Sequence, residues 1–234
     1  MNWLRRFLDA PPELTPRQAA RLAAWRALPS PRLDQPVDAS RYVVVDVESS
    51  GLDTARDRLI AIGAVAVTHG RIQLNDSHEI VLQQTQASDR DNILIHGIGG
   101  TVQREGTPPA EALLDFLEFL GKDPLIAFHV AFDQAMINRA LRTFLGLRFE
   151  HAWLDLAYVA PALHPRLARR YRALDDWMGL FHISNYARHN ALADALATAE
   201  LLLALQPLLA ARGAASFRDM KMLEQTWHRQ SQPV

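Results

Sequence analysis

The sequence contains no cysteine. This absence excludes disulfide bonds and thiolate ligands, so a metal site in this chain must use oxygen or nitrogen donors. The chain also has no uninterrupted apolar run near the roughly 18 residues of a membrane-spanning helix. The segment Met1–Asp9 has two arginines with no sustained apolar run after them, which does not match a secretory signal. We therefore expect a cytoplasmic protein that does not enter a membrane.

The chain has no excess of either charge. Its 25 basic and 26 acidic residues give a formal net charge of −1. Nucleic-acid-binding proteins that rely on bulk electrostatics are usually basic. The global charge therefore neither indicates nor excludes a nucleic-acid partner, and any attraction for phosphate must be local.

The 234 residues suffice for one domain and an extension, and the composition is that of a globular protein. We place an N-terminal helical extension at residues 1–40, where prolines recur, a main domain at 41–210 and a C-terminal tail at 211–234. The tail is polar and mixed, so we expect it to be frayed.

The extension contains one clear helix signal. Thr15 and Pro16 form a good N-cap and first-turn pair, which predicts a helix from about Pro16 to Leu28. Leu22, Trp25 and Leu28 are available for one apolar face. We expect this helix to pack on the main domain; docking of a partner is the alternative.

The main domain changes from strand patterns to helix patterns along the chain. Three strands joined by short links are predicted first, which indicates an antiparallel meander. Helices then alternate with two short strands, which is typical of a mixed α/β sheet with helices on its faces. The predicted strands are 42–45, 59–67, one within 71–82, 124–128 and 151–156, and the predicted helices are 110–120, 132–145, 155–162, 174–180 and 190–210.

Two carboxylates follow the most strand-like run. Alternation along a strand places Asp46 and Glu48 on the same face, with Val47 turned away. Two like charges this close repel unless a cation lies between them or one carboxyl is protonated. Mg²⁺ favours such oxygen ligands. The alternative is a pair of solvated acids at a strand end.

Three further residues are candidates for the same chemistry. Asp133 follows a strand and opens a helix, where α/β sheets commonly place ligand sites, although the helix dipole favours an acid there in any protein. Asp194 lies early in a helix and off its apolar stripe, so we expect it toward a rim. His189 precedes that helix in a loop. Taken alone, it would be an ordinary exposed histidine.

Together these pieces resemble the DnaQ-like DEDDh 3′→5′ exonucleases, a family that includes the proofreading subunit of bacterial replicative polymerases, ribonuclease T and oligoribonuclease. The order and separation of the motifs over about residues 41–208 carry the resemblance. The matching segments are Val43–Leu52, Ile62–Val65, His96–Ile98, Ile126–Asp133, Leu174–Trp177 and His189–Asp194.

The resemblance implies an RNase H-like fold, a mixed five-stranded sheet with three antiparallel strands followed by parallel strands, flanked by helices. It implies two divalent cations, Mg²⁺ or Mn²⁺, that clamp the scissile phosphate. Asp46 would bridge both ions, Glu48 and Asp194 would complete one site, and Asp133 would act through the second ion or its waters. His189 would be the general base, since an imidazole can accept a proton near neutral pH.

The resemblance also implies residues that bind the substrate. Leu52 follows the glycine of the first motif and would pack against the terminal base, with Phe132 and His96 close to the terminal nucleotide. Core packing is the alternative for Phe132. We also expect Arg188 to contact phosphate. The full set of predicted substrate-binding residues is Ser49, Gly51, Leu52, His96, His129, Phe132 and Arg188.

The sequence departs from the commonest family pattern at two places. Ser49 and Ser50 replace two threonines, and His129 stands where an asparagine is common. Neither position is a metal ligand. The departures therefore bear on substrate preference and leave the expected activity in place.

Three functions remain open at this point. The first is a DNA 3′→5′ exonuclease in proofreading or repair, which we favour, with single-stranded DNA ends as substrate and the two terminal segments as candidates for docking a DNA polymerase subunit. The second is an RNA 3′-end trimmer of the ribonuclease T or oligoribonuclease type, because the same acids and histidine serve both chemistries. The third is an inactive binding module that keeps the fold.

Overall fold

A five-stranded mixed sheet forms the centre of the protein. The computed structural model describes residues 12–231, so the segment Met1–Asp9 lies outside the described range. The strand order is β3-β2-β1-β4-β5, with β1, β2 and β3 antiparallel and β1, β4 and β5 parallel. The predicted sheet is confirmed. The strands are β1 Arg41–Ser49, β2 Leu59–Thr68, β3 Arg71–Val81, β4 Leu125–Ala127 and β5 Trp153–Asp155.

Helices cover both faces of the sheet and agree with the predicted helices to within a few residues. The exceptions are α2, α3 and α9, which had no counterpart among the predicted helices. The helices are α1 Pro16–Arg26, α2 Arg90–His96, α3 Gly100–Arg104, α4 Pro109–Leu120, α5 Val130–Leu145, α6 Leu156–Leu163, α7 Leu174–Phe181, α8 Ala191–Ala211 and α9 Phe217–Ser231, with a 3-10 turn at Val37–Ala39.

Strand β1 separates two hydrophobic cores. Val43, Val45 and Val47 face the core formed with α4 and α5, whereas Tyr42 and Val44 face the core formed with α6, α7, α8 and α9. Side chains alternate along a strand. Asp46 and Glu48, which follow Val44 on β1, therefore point to the α8 side of the sheet.

Helix α1 packs on α4, as expected. Thr15 caps it in a capping box with Gln18, and Pro16 occupies its first turn. Trp25 is buried and its indole N–H donates to the Gly121 carbonyl at 2.6 Å. Arg21 forms ion pairs at 2.6–2.7 Å with three acids, Glu111, Asp115 and Glu118. The helix ends two residues before Leu28, which is exposed instead of contributing to the apolar face.

The expectation of a frayed tail is wrong for residues 217–231. These residues form α9, which packs against α6 and β5. Phe217, Met220 and Glu224 are its buried residues, spaced at i, i+3 and i+7 on one helix face. A polar helix with a narrow buried stripe has the composition of a tail, which explains the error.

Helix α8 is, among residues 12–231, the one helix long and apolar enough to cross a membrane by length and composition. Half of its apolar window is buried inside the protein, and a core helix passes the same test. Its packing on β1 and β2 accounts for that composition.

The packing of α9 predicts a stability effect. Phe217 is 2% exposed and its ring lies 6.0 Å from that of Tyr42, so Phe217→Ala should lower the free energy of unfolding by about 3 kcal/mol. Met222 on the same helix is exposed, and Met222→Ala should change it by less than about 0.5 kcal/mol. Urea denaturation measures both. Equal, near-zero effects would show that α9 is not packed on the domain.

Candidate active site

The end of β1 carries the first two acids of the site. Asp46 lies opposite Gly63 of β2, and Glu48 lies opposite Ala61. The register shifts between Glu48 and Ser49, where β1 ends. Both carboxylates therefore project from the last regular residues of a central strand, on the face covered by α8.

Gly63 brings α8 close to this strand end. A Cβ at Gly63 would lie 2.1 Å from the backbone nitrogen of Leu192 and 2.2 Å from the carbonyl carbon of Ala191. The first turn of α8 therefore lies directly on β2, beside Asp46. Asp194 is in that first turn, and the close approach carries its carboxylate to the β1 acids.

Three carboxylates converge as a result. One oxygen each of Asp46, Glu48 and Asp194 lies within 4.8 Å of the others. Glu48 is 8% exposed and Asp194 is 4% exposed. The expectation that Asp194 faces a rim is wrong in this respect, because the close contact of α8 with the sheet buries its first turn.

A separate turn, at the start of α5, positions Asp133. His129 precedes the helix in a left-handed conformation, with φ 66°. The backbone N–H groups of His129 and Val130 donate to the two carboxylate oxygens of Asp155, at 2.9 and 3.0 Å. Asp155 therefore fixes the turn that directs Asp133, which is 4% exposed, toward the site.

Sequence reasoning missed Asp155. It is the last residue of β5 and pairs with Ala127 at the end of β4. It is 5% exposed and also accepts the N–H of Ala157 at 2.9 Å. An acid at the carboxyl end of a predicted strand was the available signal. Its role depends on the β4–β5 register, which no local pattern contains.

Burial and neighbouring charge raise the pKa of three acids in the site, Asp46, Glu48 and Asp133. Burial raises the pKa of Asp46 and Asp133 well above the ordinary range, and the neighbouring carboxylates raise the pKa of Asp46 further. Burial, followed by the charge of Asp194, raises the pKa of Glu48 to about 8, while Arg188 opposes the shift. A metal-free site therefore holds protons near neutral pH.

Asp194 is the acid with the most polar partners. Arg188 forms an ion pair with its Oδ2, and Asn185 donates a side-chain N–H to its Oδ1. The backbone N–H of His189 donates to Oδ2 at 3.1 Å. Arg188 also binds Asp175 at 2.7 Å. Its predicted phosphate contact stays a prediction, and here the guanidinium bridges two acids.

His189 lies at the entry of α8, on the rim of the site. Its side chain is exposed and its backbone is left-handed, with φ 62°. Asn190 follows as the N-cap, accepts the N–H of Ala193 at 2.9 Å, and donates to Glu79 at 2.8 Å. The turn is thus held at both ends while the imidazole faces solvent.

One cavity of about 690 Å³ collects every predicted site residue. Leu52 is 87% exposed at the tip of the loop that follows β1. Asp57 organises this loop by accepting from the Ser50 hydroxyl at 2.9 Å and the Asp53 N–H at 2.8 Å. The predicted residues that line the cavity are Asp46, Glu48, Ser49, Gly51, Leu52, His96, His129, Phe132, Asp133, Arg188, His189 and Asp194. Their individual roles stay predictions.

Helix α2 supplies part of the wall. His96 is 5% exposed; its Nε2 lies 2.8 Å from Asn92 Oδ1, and its Nδ1 accepts the N–H of Ile98 at 2.9 Å. Its polar atoms are therefore used within the fold. Asn92 and Ile95 line the cavity as well, and the sequence analysis did not identify them because it found no helix there.

The donor set fits divalent cations. The converging ligand atoms are carboxylate oxygens, which suit Mg²⁺ and Mn²⁺. Burial is the main cause of the raised pKa values, and the charges of neighbouring acids add to it for Asp46 and Glu48. A bound cation would therefore relieve a repulsion that the fold imposes.

A family model described as "Exonuclease" matches residues 43–202, from β1 to α8. The chain belongs to the exonuclease family. It is therefore a member of a family of hydrolytic nucleases, and the resemblance deduced from the motifs is confirmed.

Curated relatives agree with this membership. The chain is 28% identical over 185 residues to a DNA polymerase III PolC-type from Thermotoga maritima, covering 79% of this chain and 13% of the relative. It is 28% identical over 186 residues to a DNA polymerase III subunit epsilon-like protein from Rhodobacter capsulatus, covering 79% and 26%. The chain thus spans about a quarter or less of the length of these relatives.

Solved exonucleases share the fold. E. coli exonuclease I in complex with a dT13 oligonucleotide superposes with a TM-score of 0.63 at 16% identity, covering 75% of this chain and 43% of that one. Exonuclease X in complex with 5′ overhanging duplex DNA gives 0.60 at 16% identity, covering 78% and 99%. The predicted RNase H-like fold is confirmed.

Because α8 lies so close to Gly63, a side chain at this position should disturb the geometry of the site. Gly63→Ala should push α8 off β2 and cost about 1–3 kcal/mol of stability through overpacking. Activity should fall at least about tenfold. The Mn²⁺-induced rise in melting temperature should fall by more than half, because cation affinity depends on the ligand geometry.

The matched control is Gly179→Ala on α7, where a Cβ would meet nothing within 4 Å. It should leave activity and the metal response unchanged. A wild-type metal response in Gly63→Ala would show that the glycine does not set the position of Asp194.

The raised pKa of Glu48 predicts how stability depends on pH. The ordinary pKa of Glu48 is 4.5, and in the folded chain it is about 8. At a pH between these two values, the folded metal-free chain keeps a proton on Glu48 that the unfolded chain releases. Stability should therefore fall as pH rises toward 8, by about 1.4 kcal/mol per pH unit for one proton, or about 3–6 °C in melting temperature per pH unit for a chain of this size.

Thermal melts in EDTA from pH 6 to 9 measure this slope. Mg²⁺ should raise the melting temperature more at pH 8.5 than at pH 6, because it binds the ionised carboxylates. Glu48→Gln should flatten the EDTA curve. Superimposable curves for wild type and Glu48→Gln would refute the assignment.

Proposed function

We propose that this protein is a 3′→5′ exonuclease that hydrolyses phosphodiester bonds at nucleic-acid ends with two divalent cations, Mg²⁺ or Mn²⁺. The observation that carries the proposal is the convergence of Asp46, Glu48 and Asp194 within 4.8 Å, with buried Asp133 in the same cavity, in a chain of the exonuclease family.

The four acids would hold the cations. Asp46 is near enough to the other three carboxylates for each of their charges to raise its pKa; it would contact both ions, with Glu48 and Asp194 completing one site and Asp133 serving the second. When bound, such cations supply charge stabilisation for the phosphate and a more acidic water. The acids at the end of β1 and at the starts of α5 and α8 would hold the cations, and the cations would supply the positive charge that attracts the phosphate.

His189 would accept the proton of the attacking water. Its side chain is exposed at the cavity rim, where an incoming phosphate and water can reach it. The left-handed backbone and the cap at Asn190 fix the turn that carries it. A group at the rim can reach its working position when substrate fills the cavity.

End recognition would come from apolar contact with the terminal nucleotide. Leu52 projects from the loop after β1, and Phe132 lines the cavity from helix α5. Contact of this kind tolerates any base. Ser49, Gly51, His96 and His129 would complete the walls, and Arg188 would contact phosphate once its pairing with Asp194 is exchanged for substrate.

DNA is the substrate that we favour. The named relatives are DNA polymerase III proteins, and the similar solved structures hold a dT13 oligonucleotide and an overhanging duplex DNA. The names of the same relatives support association with a DNA polymerase, and the location that we propose is the cytoplasm. Under this proposal, such contacts would use the exposed faces of residues 12–40 and of α9, which lie outside the family match.

The proposed chemistry predicts that single substitutions stop degradation. Asp46→Asn and His189→Asn should each lower the rate on 3′-labelled single-stranded DNA by at least about 100-fold, because a metal ligand and a proton acceptor are lost. Both variants should keep the wild-type circular dichroism spectrum. Gel analysis of labelled DNA and RNA in Mg²⁺ or Mn²⁺ measures the rates.

The control for His189→Asn is His182→Asn, an exposed histidine with a similar left-handed backbone, φ 55°. It should retain activity. Undiminished degradation by both Asp46→Asn and His189→Asn would refute the catalytic assignment, whereas faster degradation of RNA than of DNA would overturn the preferred substrate alone.

A further inference from the structure

We propose that a second groove, next to the active site, binds the substrate strand upstream of its 3′ end through backbone phosphates. This arginine groove lies between the loop after β1, residues 83–85 and helix α5, and has a volume of about 660 Å³. The inference rests on the proposed nuclease function and adds to it the site that would hold the rest of the strand.

The lining of the arginine groove is basic, with no acid among its residues. Arg56, Arg58 and Arg139 line it together with Gln83, Thr85 and Thr143. Three positive charges and several polar side chains without a carboxylate make a surface that attracts a polyanion. In a chain with a net charge of −1, such a concentration is a local feature.

These arginines differ from the paired arginines elsewhere in the described chain. Arg21 and Arg41 each bind two or more carboxylates at 2.6–2.9 Å. In contrast, Arg56 has one exposed ion pair at 3.7 Å, and Arg139 contacts the sulfur of Met136. The guanidinium of Arg58 makes no ion pair with residues 12–231. Their charge is therefore available to a ligand.

The arginine groove shares two walls with the active site. Ser49 lines the active-site cavity and pairs across the sheet with Leu59, which lines the groove. Helix α5 carries Asp133 in the cavity and Arg139 in the groove, about 9 Å further along the helix axis. A strand whose 3′ end lies in the cavity therefore continues along α5 into the groove.

The apolar part of the groove suits bases. Phe144 lies at its far end and is 38% exposed, which leaves a ring face for stacking without selection of sequence. Charge for the phosphates and an aromatic ring for the bases together specify a nucleic-acid strand several nucleotides long. A dinucleotide held at the acids would not reach this groove.

The test compares substrates of two lengths. The triple variant Arg56→Gln/Arg58→Gln/Arg139→Gln should lower the ratio of kcat/KM for a dT12 strand to that for a dinucleotide by at least about tenfold. In an Asp46→Asn background, fluorescence anisotropy of labelled dT12 in increasing KCl should show a slope of log affinity against log salt that is shallower by about 2, the effect of losing three single-strand phosphate contacts.

The matched control removes three exposed charges outside the groove, Arg26→Gln/Arg71→Gln/Arg212→Gln. Because it changes the net charge equally, it should leave both the length ratio and the salt slope near wild type. If the groove triple behaves like this control while wild type degrades DNA, the groove proposal is overturned and the nuclease proposal stands. If wild type degrades no nucleic acid, both the nuclease proposal and the groove proposal fail.

Discussion

Electrostatic repulsion among carboxylates is the constraint on which this site depends. Gly63 lets α8 approach β2 until Asp194 lies within 4.8 Å of the β1 acids. Burial and like charge then raise the pKa values of Asp46, Glu48 and Asp133, and that of Glu48 reaches about 8. The fold thus holds acids together that would separate in solution, and the arrangement is stable only with protons, a cationic side chain such as Arg188, or metal ions between them.

The surrounding structure resists this repulsion through backbone contacts. His129 and His189 both adopt left-handed conformations, which cost on the order of 1 kcal/mol or more each for residues other than glycine. Each is held by an acid that accepts its N–H, Asp155 for His129 and Asp194 for His189. Strained turns at the starts of α5 and α8 therefore deliver the two acids that come from outside β1, and the same turns place one histidine at each side of the cavity.

Local patterns in the sequence predicted the sheet and most helices, because strand alternation and helix periodicity are local properties. The four acids were singled out by the resemblance of the combined motifs to an exonuclease family. Local patterns did not predict what depends on register or tertiary packing. Asp155 acts through the β4–β5 register, and Asp194 is buried because α8 contacts Gly63. The few buried residues of α9 form a pattern that is recognisable only once the surface that they contact is known. The arginine groove joins segments about 80 residues apart along the chain, so composition and spacing contained no sign of it.

The central claim, that the fold assembles the four acids into a site for divalent cations, is tested most directly by counting bound Mn²⁺ with electron paramagnetic resonance at pH 8. Two bound ions per chain are expected for the wild-type protein, with the loss of both in Asp46→Asn, since Asp46 would be a ligand of both proposed ions. Equal numbers of bound ions in the two proteins, or no bound Mn²⁺ in the wild type at millimolar metal, would contradict it.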